Sequence, residues 1–122
     1  MNIKTLAKQV FAFAQTNKDG FTLNLKTFRP VTAGIVASYS ATQNSFSEND
    51  LQSVIYHALT HDGIVGGWYN SKDGKYYFDS NKVFKYSELT EAIEFGIANK
   101  QCAIFDIDNL EEIRIDSQVL TA

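Results

Sequence analysis

The stretch SENDLQSVIYHALTHDGIVGGWYNSKDGKYYFD, residues 47–79, reads as a helix, a stop and two strands in direct succession. Ser47 offers a capping hydroxyl, and Glu48 and Asp50 set negative charge against the positive end of the helix dipole. Leu51, Val54, Ile55, Ala58 and Leu59 then recur at helical spacing, which predicts a single apolar stripe. His61-Asp62-Gly63 ends that helix. Residues 64–70 lead into Ser71-Lys72-Asp73-Gly74, and Lys75 to Asp79 return. The Asp-Gly pair supplies the left-handed geometry that hairpins favour.

The same order of elements extends to both sides. Upstream, Ile3, Leu6, Ala7, Val10, Phe13 and Ala14 mark an amphipathic helix that stops at Asn17-Lys18-Asp19-Gly20. Phe21, Leu23 and Leu25 alternate with polar residues, as in a strand with one buried face. Pro30, the only proline, marks a turn or an edge, and residues 33–40 read as the returning strand. Downstream, Val83 and Phe84 suggest a short strand and Ser87 a helix cap. Leu89, Ala92, Ile93 and Ile97 then form a third stripe. Gly96 inside it costs about 1 kcal/mol relative to alanine and points to a close approach to the sheet. Residues 101–107 and 112–116 make a last hairpin around Asp108-Asn109. The residues of the three passes do not match at a fixed period, so no sequence repeat is present.

These readings predict an α+β fold: three helices packed on one face of a mainly antiparallel sheet, with the α-β-β unit used three times. Residues 1–116 form a single domain in this reading and 117–122 a loose tail. With 122 residues, 44% of them hydrophobic, the chain can bury one core without staples. Cys102 is the only cysteine, so no intrachain disulfide forms. Its neighbours Ala103, Ile104 and Phe105 predict a buried thiol, whereas a catalytic one needs an open, electropositive setting. No apolar run approaches the roughly 20 residues that span a bilayer, and Met1 to Gln15 lacks an apolar block of signal-peptide type. A cytoplasmic protein without membrane attachment is the expectation.

Net charge is −3, but residues 1–46 sum to +4 and residues 88–122 to −6. A dipolar protein of that kind could steer a charged partner, unless folding interleaves the segments. Acidity overall and the lack of a dense basic stripe argue against nucleic-acid binding, which exposed rings alone support only in part.

The strongest local anomaly is aromatic. Gly66-Gly67-Trp68-Tyr69 faces Tyr76-Tyr77-Phe78 across the turn, and period-two alternation cannot bury all five rings on one face. Some of Trp68, Tyr69, Tyr76 and Tyr77 should line the opposite face as a contact surface, since Trp and Tyr dominate binding hot spots. Gly66 and Gly67 clear space for a backbone or a ligand. The alternative is cross-strand pairing that only stabilises the hairpin.

Secondary candidates are weaker. His57 and His61, four apart at a helix end, read first as cations on the negative end of the dipole and second as a metal pair; Ala58 stands where a zinc-protease helix has glutamate. Gln43 and Asn44 sit before a helix start that could hold an anion, but Glu48 and Asp50 oppose one. Asp79, Asp106 and Asp108 lie at predicted strand ends, where aspartates commonly form turns. No cofactor or metal motif is present.

Three stretches together carry a resemblance: Thr42-Gln43-Asn44-Ser45-Phe46; Gly66-Gly67-Trp68-Tyr69 through Tyr76-Tyr77-Phe78-Asp79-Ser80; and Glu91-Ala92-Ile93 through Ala103-Ile104-Phe105-Asp106 and Glu112-Ile113-Arg114. In overall pattern, residues 20–116 resemble a small uncharacterised domain family of phages and conjugative elements of gut bacteria, sometimes fused into polyvalent proteins. The resemblance implies a mobile-element protein that acts against a host defence system, and it carries no catalytic residue. The expected function is therefore non-enzymatic binding of a macromolecule, a protein first and a nucleic acid second. The alternatives are an enzyme on a nucleotide or nucleic acid, using Asp79, His57 or His61, and a structural homodimer.

Overall fold

The computed structural model describes residues 2–116; the predicted tail lies outside them. Three helices, α1 (Ile3–Gln15), α2 (Glu48–Leu59) and α3 (Leu89–Ala98), accompany seven strands. The strands are β1 (Phe21–Asn24), β2 (Arg29–Pro30), β3 (Ile35–Ser38), β4 (Ile64–Asn70), β5 (Lys75–Phe84), β6 (Ala103–Asp106) and β7 (Glu111–Arg114). They form an antiparallel sheet in the order β2-β1-β4-β5-β3-β6-β7, and the fold is α+β. The chain divides into two compact units, residues 1–31 with 41–81 and residues 32–40 with 82–122.

In the first unit the helix ends follow local chemistry. The Asn2 side chain accepts from the Thr5 amide at 2.7 Å and caps α1. Ser47 Oγ accepts from the Asp50 amide at 3.1 Å and caps α2, as expected. Gly63, at φ +74, closes α2 by donating from its amide to the Ala58 carbonyl at 2.6 Å. Leu6, Val10 and Ala14 of α1 and Leu51, Val54, Ile55 and Ala58 of α2 meet Leu23, Val65 and Phe78 in one core. The register pairs Leu23 with Val65 and Phe21 with Gly67, which in turn faces Phe78, so both helices cover the same face of β1, β4 and β5. Burial of each such Leu, Val or Phe side chain contributes about 1.5–3 kcal/mol.

In the second unit α3 covers β3 and β6, with Ile35, Ala37, Phe84, Ala92, Ile104 and Ile115 as its core. Gly96 permits this contact: a Cβ there would lie 2.6 Å from Ile115 Cδ1 and 2.9 Å from Ile104 Cγ2.

Several boundaries differ from expectation. The return from β1 is the two-residue strand β2, in which Pro30 sits at the sheet edge opposite Leu23. Residues 35–38, expected to return to β1, pair with β6 instead, Ile35 with Asp106 and Val36 with Phe105. Val83 and Phe84 are not a separate strand but the end of the ten-residue β5. Ser87 does not cap α3; it lies in a 3-10 turn, Tyr86–Glu88, where Glu88 Oε1 reaches back to accept from the Lys85 amide at 2.8 Å. Cys102 is exposed rather than buried, because β6 starts one residue later and the inward alternation does not reach the thiol. No helix among the described residues is long and apolar enough to cross a membrane.

The three hairpins share one turn. Residues 25–28, 71–74 and 107–110 each form a four-residue loop whose last residue, Phe28, Gly74 or Leu110, has positive φ. Each loop follows Asn24, Asn70 or Asp106, whose side-chain oxygen accepts a loop amide: Lys26 at 2.9 Å, Lys72 at 2.9 Å and Asn109 at 3.2 Å.

Candidate functional site

The β4–β5 register places Gly67 opposite Phe78, Trp68 opposite Tyr77 and Tyr69 opposite Tyr76. Alternation then sorts the rings. Tyr69, Tyr76 and Phe78 share the helix-covered face with Val65 and Ser80. Trp68 and Tyr77 share the other with Gly66, Asp79 and Asn81.

On the helix side, Tyr76 packs against the first core. Its ring lies 5.2 Å from Phe11 and 4.9 Å from Tyr69, and Lys18 Nζ stands 5.3 Å above the Tyr69 ring. Tyr69 and Tyr76, expected in the contact surface, are thus engaged in binding the hairpin to α1 and the loop after it.

On the far side, Trp68 stacks on Tyr77 with centroids 5.2 Å apart and planes 25° apart. Phe46 meets Tyr77 edge-on at 4.8 Å. Phe46 reaches this place because the Phe78 amide donates to the Ser45 carbonyl at 2.9 Å, which lays residues 45–46 along β5. Lys75 Nζ sits 4.9 Å above the Phe46 ring. The Tyr77 hydroxyl donates to the Asp73 carboxylate in the turn. That bond raises the phenol's pKa and lowers the carboxyl's, so both stay in the bonded form at neutral pH. Trp68 nevertheless keeps 47% of its surface exposed. Phe46 was not among the expected site residues. Its position directly before the Ser47 cap points to a hydrophobic staple onto Leu51 and gives no sign of a ring cluster across the strand.

The two glycines do not open space for a ligand. A Cβ on Gly67 would lie 2.7 Å from the Phe21 ring and 2.9 Å from that of Phe78. A Cβ on Gly66 would strike the Asn81 amide and lie 2.8 Å from Asp79 Oδ1. The protein's own side chains fill both places.

His57 and His61 stack in parallel, with centroids 3.8 Å apart and planes 5° apart. His57 Nδ1 lies 2.8 Å from Ser80 Oγ, and His61 Nδ1 lies 2.7 Å from the His57 carbonyl. A carbonyl only accepts, so His61 Nδ1 carries a proton and caps the helix end as a donor. Burial, followed by the charge of His61, lowers the His57 pKa, with Asp62 opposing. The shift disfavours the cationic form of His57, against the reading of that histidine as a cation on the helix dipole. Among the described residues no group of three or more His, Cys, Asp or Glu could hold a metal ion.

Asp79 and Ser80 are consecutive in β5, so they point to opposite faces. Ser80 meets His57, while Asp79 leans over Gly66 on the Trp68 side. The sheet thereby separates Asp79 from the imidazoles, and the expected acid–base grouping is not assembled. Asp106 is 2% exposed and accepts from Tyr86 Oη at 2.9 Å and from Asn109 Nδ2 at 2.8 Å; the Asn109 contact leads in lowering its pKa. Asp108 accepts from the Gly34 amide at 3.2 Å. Both aspartates fix a turn. At the start of α2, Asp50 accepts from the Phe46 amide at 3.0 Å, a bond that lowers its pKa and puts a carboxylate where an anion would sit. Asn44 takes φ +61 in the loop before it, a conformation asparagine tolerates, and Gln43 beside it is exposed.

No family model matches the chain, and no curated protein or solved structure matches it.

Proposed function

We propose that the protein is a non-enzymatic binding module that presents the Trp68–Tyr77–Phe46 face to a protein partner. The observation that carries this reading is the half-exposed Trp68, held flat against a Tyr77 whose hydroxyl is tied to Asp73. A ring fixed in place by its neighbours loses little side-chain entropy on contact, which is why such residues serve as anchors. A protein partner fits better than a nucleic acid. The first unit holds seven basic against six acidic residues, too even a balance for the multiple phosphate contacts that nucleic-acid affinity requires. The resemblance to mobile-element proteins would place that partner in a host defence system.

A photo-crosslinking residue at position 68, introduced in producing cells, tests the reading. The expected result is a discrete protein adduct that Tyr77→Ala weakens while thermal unfolding of the variant stays near that of the parent. Adducts to nucleic acid alone, or none, would overturn it.

A further inference from the structure

Three equivalent turns place a residue in the left-handed region, and they differ in what that residue does. Gly74 adopts it without penalty. Phe28, at φ +54, turns its ring to Phe13 at 6.0 Å, so the strained backbone carries an internal contact. Leu110, at φ +53, is 76% exposed. A leucine rarely adopts this conformation. Here it is over-determined by the turn beneath it, where Asp106 holds the Asn109 amide, the Asn109 side chain and the Tyr86 hydroxyl. The result is a rigid turn with an apolar side chain held in water. Glu111 and Glu112 follow it, both exposed, with Glu112 paired to Arg114 at 3.3 Å, and the unit that bears it has eight acidic against four basic residues.

We propose that this β6–β7 turn is a docking element and that its occupant is the Trp68 face of a second copy of the chain. This rests on the reading of that face as a protein-contact surface and gives it an occupant other than a host component. The two surfaces are complementary in kind. One presents a lone leucine followed by the Glu111 carboxylate; the other presents stacked rings flanked by the exposed Lys72 and Lys75, and the one carboxylate in its turn, Asp73, is taken up by Tyr77. Leu110 would lie against Trp68, with Glu111 toward the lysines. Two different patches meet in this contact, the aromatic face of one copy and the acidic turn of another. A contact built on one turn is small, and association is accordingly weak and salt-sensitive.

Sedimentation velocity on the full chain, from about 20 μM to about 1 mM, tests this in the range where weak contacts populate. The expected result is a weight-average sedimentation coefficient that rises with concentration at low salt and flattens in about 0.5 M salt. Leu110→Gly should abolish the rise while raising the thermal midpoint by about 3 °C, because it removes left-handed strain without removing a packed side chain. Lys72→Glu/Lys75→Glu and Glu111→Lys should each remain monomeric alone and associate when mixed. A single monomer mass across the range, or association indifferent to Leu110→Gly, overturns the proposal. A lower midpoint for Leu110→Gly also overturns it, since Leu110 would then be a packing residue. A monomeric parent that still gives a protein adduct from position 68 would leave the binding reading standing without this occupant.

Discussion

The two faces of the β4–β5 hairpin carry three rings each. On one, Tyr69, Tyr76 and Phe78 meet Phe11 and the first core; on the other, Trp68, Tyr77 and Phe46 meet chiefly one another. Composition is nearly the same, but burial is not: Phe78 is 2% exposed and Trp68 47%. The difference lies in what covers each face. Two helices close over the first, and on the second the segment at Ser45–Phe46 lies beside β5, with Trp68 left half open to water. Ring content marks a ribbon as unusual, but only its cover decides whether the rings are core or surface.

The contrast can be broken by truncation. Phe78→Ala removes a ring from a dense core and should cost about 3–5 kcal/mol, read as a fall in the urea midpoint. A loss under about 1 kcal/mol would mean that the two faces are not distinct. Next in size, Gly67→Ala forces a methyl between the Phe21 and Phe78 rings and should destabilise by about 1–3 kcal/mol. Chemical denaturation of the pair of single variants, Gly67→Ala and Phe78→Ala, with their double mutant would reveal coupling if the clash is real.

A smaller effect follows from His57. Its folded pKa lies below the ordinary value of 6.5, chiefly through burial. Between those two values the unfolded chain binds the extra proton, so stability is complete above about pH 6.5 and declines as the pH falls toward the folded value. The parent should lose more stability between pH 7.5 and 5.5 than His57→Gln does, by urea titration at each pH. Equal losses would place the histidine pair outside the stability balance. Smallest is Trp68→Ala, which should change stability by less than about 1 kcal/mol, because its surface is already half solvated and only the pairing with Tyr77 is lost. Its thermal melt, set beside that of Phe78→Ala, measures the asymmetry of the faces directly.

Much of this was readable from the residues. Ser47, Gly63 and Gly96 act as their chemistry suggests, since capping and close approach are local or nearly so. Alternation in Trp68-Tyr69 and Tyr76-Tyr77 implied that the four rings could not share a face, and the register divides them two and two. The pairing of β3 was not legible. Ile35, Val36 and Ala37 are all buried, as in an interior strand, but period and burial say nothing about which strand lies alongside, and β6 is some seventy residues away. Phe46 escaped for the same reason: its neighbours in sequence belong to a helix cap, while its ring neighbours are on β5. The histidines were legible as a pair, but the lowered pKa of His57 was not, since it follows chiefly from burial.

The charge pattern also resolves by unit: the first is close to balanced, and the second carries the acidic excess. The segment sums of the linear chain overstated the contrast, because Glu48, Asp50, Asp62, Asp73 and Asp79 fold with the basic N-terminal segment and Lys82 and Lys85 with the acidic one.

By itself, the sequence determined three helices, the hairpins that follow the second and third, and the left-handed glycine of the middle turn, all set by periodicity and backbone sterics within a few residues. Tertiary structure alone decided which strands pair, which rings are covered and which carboxylates are engaged. Those outcomes depend on contacts between residues far apart in the chain, and two identical local patterns can bury opposite faces once the neighbouring strand is chosen.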